Sequence, residues 1–210
     1  VPESGEITVN DLVRGEVTFQ MSDVDDTVLL KSDGFPTYHL ANVVDDHDME
    51  ISLVIRSDEF VPSTPKHILI YKALGWKPPE FAHVPVIVGP DMKKLSKRNG
   101  DTALSEYKSK GYLPEALINF LVFLGWNPGT TDEIFSLPEL IRAFGINRVG
   151  HAPAVFDIDR LNYINGIYIR KLTISELTNR LVEFDPELAT IERRLLERVV
   201  TVEQPRLKTL

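Results

Sequence analysis

Two hydrophobic patterns divide the chain. In the first part apolar residues come in short β-rich runs: EVTFQ (16–20), TVLLKS (27–32, closed by the turn SDGFP), ISLVIR (51–56) and AHVPVIVG (82–89). ISLVIR is nearly continuous, the pattern of a parallel strand buried on both faces. Between it and 82–89 runs a helical stripe of Ile68, Leu69, Tyr71, Lys72 and Leu74. Ser63 or Thr64 can cap that helix, Pro65 fits its first turn and Gly75 ends it. Strand, helix and strand predict a βαβ unit with a right-handed crossover. TYHLANVV (37–44) puts Tyr38 and Asn42 on one face if it is helical. After Gly100 the pattern is helical only, over 104–111, 114–125, 136–145, 157–170, 173–184 and 185–200. Ser136 with Glu139, and Thr173 with Glu176, have capping-box spacing, and Asp157 and Asp185 stand as caps. The expected fold class is α/β followed by all-α.

Composition narrows the picture. The chain has 210 residues, 43% hydrophobic and 26% charged, enough for one large domain or two or three small ones. It has no Cys, which excludes disulfides, a thiolate zinc site and a cysteine nucleophile, and fits a reducing compartment. No apolar run approaches the roughly 18 residues of a membrane span. VPESGEITVN lacks the basic start and apolar core of a signal peptide and does not read as a natural start. A net charge of −8 argues against a general nucleic-acid coat but leaves room for a local basic face.

One such face stands out. GPDMKKLSKRNGD (89–101) gathers Lys93, Lys94, Lys97 and Arg98 just after an apolar strand. Open α/β sheets place ligands at the C-terminal ends of their strands, and mobile ammoniums suit phosphates. A solvated loop is the competing reading. Other clusters carry less. DDHD (45–48) points its side chains in diverging directions, against one metal ion. SDEF (57–60) beside Arg56 reads equally as a ligand loop or a helix entry. His67, His83 and His151 have no Ser or acid at a diagnostic spacing, so no hydrolase triad can be argued.

KLSKR (94–98) resembles the class I aminoacyl-tRNA synthetase signature usually written KMSKS, in the form common among glutamyl-tRNA synthetases. Collinear with it, DLVRGEVTF (11–19), LLKSDGFPTYHLANVVDDHDM (29–49), HILIYKALGW (67–76), GYLPEALINFLVFLGW (111–126), EIFSLPELIRAF (133–144) and VFDIDRLNYINGIYIR (155–170) are similar to the same family. The resemblance spans about residues 8–173.

It implies the second half of a Rossmann-type nucleotide-binding fold, then a helical stem-contact domain and the start of a helical anticodon-binding domain. The expected boundaries are 1–39 (end of the acceptor-binding insertion), 40–91 (catalytic fold), 92–173 (signature loop and stem-contact domain) and 174–210. It implies glutamate contacts at Tyr38, Asn42 and Arg56. It implies an ATP site at Glu59, Ile87 (through its backbone), Lys94, Leu95, Ser96, Lys97 and Arg98, with Lys94 and Lys97 catalytic. The implied reaction is activation of L-glutamate by ATP with Mg²⁺, then transfer to the 3′ end of tRNA(Glu), in the cytoplasm or an organelle, with no zinc in this chain and no membrane. The HIGH signature does not occur here, so the missing N-terminal half of the same protein is an expected partner and the chain alone is expected to be inactive. RSDEFVPSTPKH also departs from the frequent RGEDH form at the pocket's edge. A glutaminyl-tRNA synthetase fragment and a non-catalytic tRNA-binding module remain the alternatives.

Overall fold

A computed structural model describes residues 1–95 and 103–210. The chain forms two compact units, Val1–Val86 with Gly145–Pro153, and Ile87–Phe144 with Ala154–Leu210.

The first unit holds a four-stranded sheet in the order β2-β1-β4-β3. β1 (Glu6–Asp11) and β2 (Gly15–Gln20) form an antiparallel hairpin. β3 (Leu53–Ser57) and β4 (Glu80–Val84) run parallel, with Arg56 opposite His83. β1 joins β4 in parallel through Asp11 and Phe81. α1 (Tyr38–Asp48) precedes β3, and α2 (Thr64–Leu74) makes the expected crossover from β3 to β4. The helices meet over Val43, Ile70 and Tyr71, with Leu29, Leu40 and Trp76 packed alongside. Gly75 ends α2 with φ 72°, a left-handed cap that favours glycine.

Four expectations for this part are corrected. TVLLKS forms no strand: one bridge joins Leu30 to Pro36, and the turn returns Thr37 N–H to Leu29 O at once. ISLVIR is not buried on both faces, because Ile55 is 56% exposed, and β3 stands at the edge of the described sheet. The run 82–89 is two strands in two sheets, broken before β5 (Ile87–Val88) at Pro85, which has no N–H for a ladder. α2 needs no N-cap, because a 3-10 turn (Asp58–Ser63) feeds straight into it and Ser63 is itself helical.

In the second unit β5 pairs in parallel with β6 (Ala154–Val155), a strand inside the stretch read as helical only. The rest is α3 (Leu104–Ser109), α4 (Pro114–Val122), α5 (Leu137–Ala143), α6 (Ile158–Lys171), α7 (Ile174–Phe184) and α8 (Arg193–Glu203). Leu117, Phe120, Leu161, Ile169, Leu177 and Leu196 lie at the core. Asp157 caps α6, and Thr173 with Glu176 forms the expected capping box on α7. The single helix expected over 185–200 is two pieces. Asp185 caps a 3-10 turn (Pro186–Thr190), and Glu192 starts α8 afresh. Buried Asn165 accepts from Leu113 N–H and donates to Lys208 O, holding the 207–210 segment, whose Leu210 N–H bonds Gly111 O at 2.9 Å.

Candidate active site

A dense polar cluster in the first unit is built around Arg56, near the C-terminal end of β3. The strand register places Arg56 beside His83 of β4, and its Nε donates to His83 Nε2 at 2.9 Å. Nη2 donates to Thr64 Oγ1 at 2.9 Å, and Nη1 meets His67 Nδ1 at 3.2 Å. Both imidazoles accept from the guanidinium, which fixes their tautomers. His83 must carry its proton on Nδ1, which lies 2.5 Å from Asp11 Oδ2. His67 must carry its proton on Nε2, which meets His39 Nδ1 at 3.0 Å. Asp11, Thr64, His67 and His83 are all buried.

The electrostatics follow. Burial raises the Asp11 carboxyl's pKa, but the N–H groups of Arg14, His83 and Val13 and the His83 ring outweigh it and leave it below the usual carboxylate range. Burial pushes His67 down to about 3, with Arg56 and the neighbouring imidazoles adding to the effect. Burial also lowers His83 despite Asp11. Arg56 is lowered by burial and supported by Tyr38 and, at longer range, Asp46 and Asp11. Among the described residues no carboxylate forms an ion pair with Arg56. Its immediate partners are imidazole, hydroxyl and carbonyl groups, with the rings of Phe60 and Phe81 5.6 and 5.5 Å away. Among the described residues the cluster is a fixed cation with no counter-ion at contact distance, and such a guanidinium can pair with an anionic group.

The Asp11–His83–Thr64 line looks like a nucleophile triad, since Thr64 Oγ1 is 3.2 Å from His83 Nε2. Arg56 occupies the lone pair a general base would need, and the Thr64 hydroxyl faces Phe60 O at 3.2 Å. No acyl transfer can start there. His83 does have an acid partner, contrary to the reading from spacing. The two residues are 72 positions apart, and only the strand register brings them together.

Tyr38, at the start of α1, lies edge-on to His67 at 5.8 Å and interacts with Arg56, so these two sequence-predicted residues come together. Asn42, one turn along α1, donates to Asp46 Oδ2 at 3.1 Å. Glu59 lies exposed in the 3-10 turn after β3. Ile87, in β5 of the second unit, accepts through its carbonyl from Leu95 N–H at 3.0 Å. Lys94 is exposed and bridges back to Val88 across the turn containing Met92 (φ 59°). The chain therefore leaves β5 in a tight reversal over 89–94. Ser96, Lys97 and Arg98 lie outside the described residues. Asp11, Thr64, His67 and His83 were not singled out as site residues from the sequence; the one signal for them is the parallel pairing of 51–56 with 82–84.

A mixed α/β unit with a parallel strand pair, followed by helices, defines the class, and the chain matches the family described as tRNA synthetases class I (E and Q), catalytic domain, over residues 1–163. The chain belongs to that family. It is 49% identical over 209 residues to the glutamate–tRNA ligase of Desulforamulus reducens, covering 96% of this chain and 43% of that protein. It is 53% identical over 184 residues to the glutamate–tRNA ligase of Dehalococcoides mccartyi, covering 88% and 38%. The crystal structure of glutamate-tRNA synthetase from Elizabethkingia anophelis superposes with a TM-score of 0.88 at 36% identity, over 99% of this chain and 46% of that one. The chain thus spans about two fifths of the length of the curated relatives it matches. Among the described residues no helix is long and apolar enough to cross a membrane, and no group of three His, Asp or Glu could hold a metal.

Proposed function

We propose that this chain is part of a glutamate–tRNA ligase, which activates L-glutamate with ATP and passes it to the 3′ end of tRNA(Glu). The observation that carries the reading is Arg56, a half-buried cation held by neutral partners beside Tyr38, where a carboxylate of the amino acid completes the charge balance. Tyr38 and Asn42 form the adjoining face of α1. The loop from Lys94 to Arg98, with Lys94 and Lys97 as its working cations, Glu59 and the backbone of Ile87 serve ATP. Mg²⁺ arrives with the triphosphate, as part of the substrate. Attack of the glutamate carboxylate on the α-phosphorus builds charge on phosphate oxygens, and mobile ammoniums stabilise it. Residues 1–91 act as the second half of the catalytic fold and its insertion. Residues 92–173 contact the tRNA stem, and 174–210 begin the anticodon-binding part. Phosphate contacts there position the tRNA without reading sequence, and the working place is the cytoplasm or an organelle.

The test is ATP–pyrophosphate exchange with tRNA present. In the full-length enzyme Lys97→Ala is expected to slow activation by about 10²-fold, the scale of one lost transition-state contact, with glutamate affinity changed far less. Unaltered single-turnover activation would remove Lys97 from the phosphate site. Residues 1–210 alone are expected to give no exchange, since half of the phosphate clamp and HIGH are not in this sequence. Robust exchange by this chain overturns the reading of it as part of a larger catalytic site.

A further inference from the structure

We propose that Asp11 and His83 are positioning residues for Arg56, and that through it they set the affinity for the amino-acid carboxylate. The proposal rests on the amino-acid-binding reading of Arg56. A guanidinium on a free side chain has many orientations, and fixing its Nε–H fixes its plane. Here that N–H meets the lone pair of His83 Nε2 at 2.9 Å. The lone pair exists only while the His83 proton sits on Nδ1, and Asp11 Oδ2, 2.5 Å from Nδ1, keeps it there. Asp11 is held in turn. Its Oδ1 accepts from the N–H groups of Val13, Arg14 and His83 at 3.0, 2.9 and 3.1 Å. Orientation therefore passes from the turn after β1, through a carboxylate and an imidazole, to the guanidinium.

The arrangement differs from an ordinary buried ion pair. Asp11 stands one imidazole away from Arg56, so it fixes the cation without neutralising it at contact distance. A carboxylate directly on Arg56 would hold it equally well and would compete with the ligand. Thr64 Oγ1 and His67 Nδ1 hold the other two nitrogens, again without charge.

The test uses the full-length enzyme and ATP–pyrophosphate exchange, with KM for glutamate, KM for ATP and kcat measured separately. In Asp11→Asn the three N–H donors keep the amide oxygen at the Oδ1 position, so the amide NH₂ faces His83 Nδ1. The imidazole proton then moves to Nε2 and opposes the Arg56 Nε–H. KM for glutamate is expected to rise about 10-fold or more, with kcat and KM for ATP within about threefold, the pattern of lost uniform binding. ¹⁵N NMR of His83 in the same variant is expected to show the tautomer reversed. His83→Leu should raise KM for glutamate similarly. His83→Gln, which returns an acceptor near the Nε2 position, should recover most of the loss. Equal effects of Leu and Gln, or losses only in proportion to the folded fraction measured by circular dichroism, overturn the positioning role. Arg56→Lys separates the two layers. If it leaves KM for glutamate unchanged, the reading of Arg56 falls and this inference with it. If it raises KM while His83→Leu does not, the positioning role alone falls.

Discussion

Arg56 is charged, and the groups that hold it are kept uncharged, a combination with a consequence in acid. An imidazole whose folded pKa lies below its unfolded value of about 6.5 stays neutral while the unfolded chain takes up a proton. His67, pushed down to about 3, and His83, also lowered, behave this way. Stability is therefore unaffected by them above about pH 6.5. It falls as pH drops below that, for His67 down to about 3, by at most about 1.4 kcal/mol per pH unit for each imidazole held neutral. Asp11, held ionised, adds stability that is present above the unfolded carboxylate pKa and lost as pH falls below it. Urea denaturation of the chain is expected to show a midpoint decreasing from pH 7 to 5, with a shallower slope in His67→Asn. A midpoint flat over that range would contradict the neutral cluster. At this scale the spacing of Tyr38 and Asn42 already put them on one helical face, as α1 has them, while their assignment with Arg56 to the amino acid came from family resemblance. The Asp11–His83 pair was hidden, because its members lie on different strands and meet only once the sheet has formed.

Local signals were the readable ones at the scale of elements. Capping boxes and glycine stops depend on residues three or four apart, and they appear where the spacing put them, as at Thr173–Glu176 and Gly75. Whether a strand's two faces are covered depends on distant elements, so ISLVIR looked doubly buried although Ile55 is exposed. TVLLKS had strand propensity but no ladder to join. Two elements invite measurement. Thr173 Oγ1 accepts from Glu176 N–H at 3.2 Å, and Glu176 returns a bond to Thr173 N–H at 2.8 Å. Thr173→Ala should cost about 1 kcal/mol in chemical denaturation, and a change near zero would mean that tertiary packing alone sets the start of α7. Gly111 has φ 77°, and a Cβ there would sit 2.7 Å from Leu210 N and O. Gly111→Ala should therefore destabilise the chain by more than the ~1 kcal/mol of an ordinary left-handed strain and should raise hydrogen exchange at Leu210. Unchanged exchange would argue against the docked 207–210 segment.

At the scale of the whole chain, the first unit's sheet ends at β3 among the described residues. Edge strands with exposed apolar residues invite association, and Ile55 on β3 is such a residue. Ile55→Lys is expected to reduce concentration-dependent association of the 210-residue chain, read by light scattering; an unchanged profile would place the sticky surface elsewhere. The division into units has its own consequence. The path of the chain passes from one unit to the other at 86/87, 144/145 and 153/154, and Gly145–Pro153 returns to the first unit, where His151 Nε2 meets Val13 O at 2.7 Å. The two units are therefore joined covalently at three places along the chain. One cut between 88 and 144 leaves the returning loop covalently on the C-terminal piece yet folded into the N-terminal one, so the two pieces should travel together through a native sizing column and part only in denaturant.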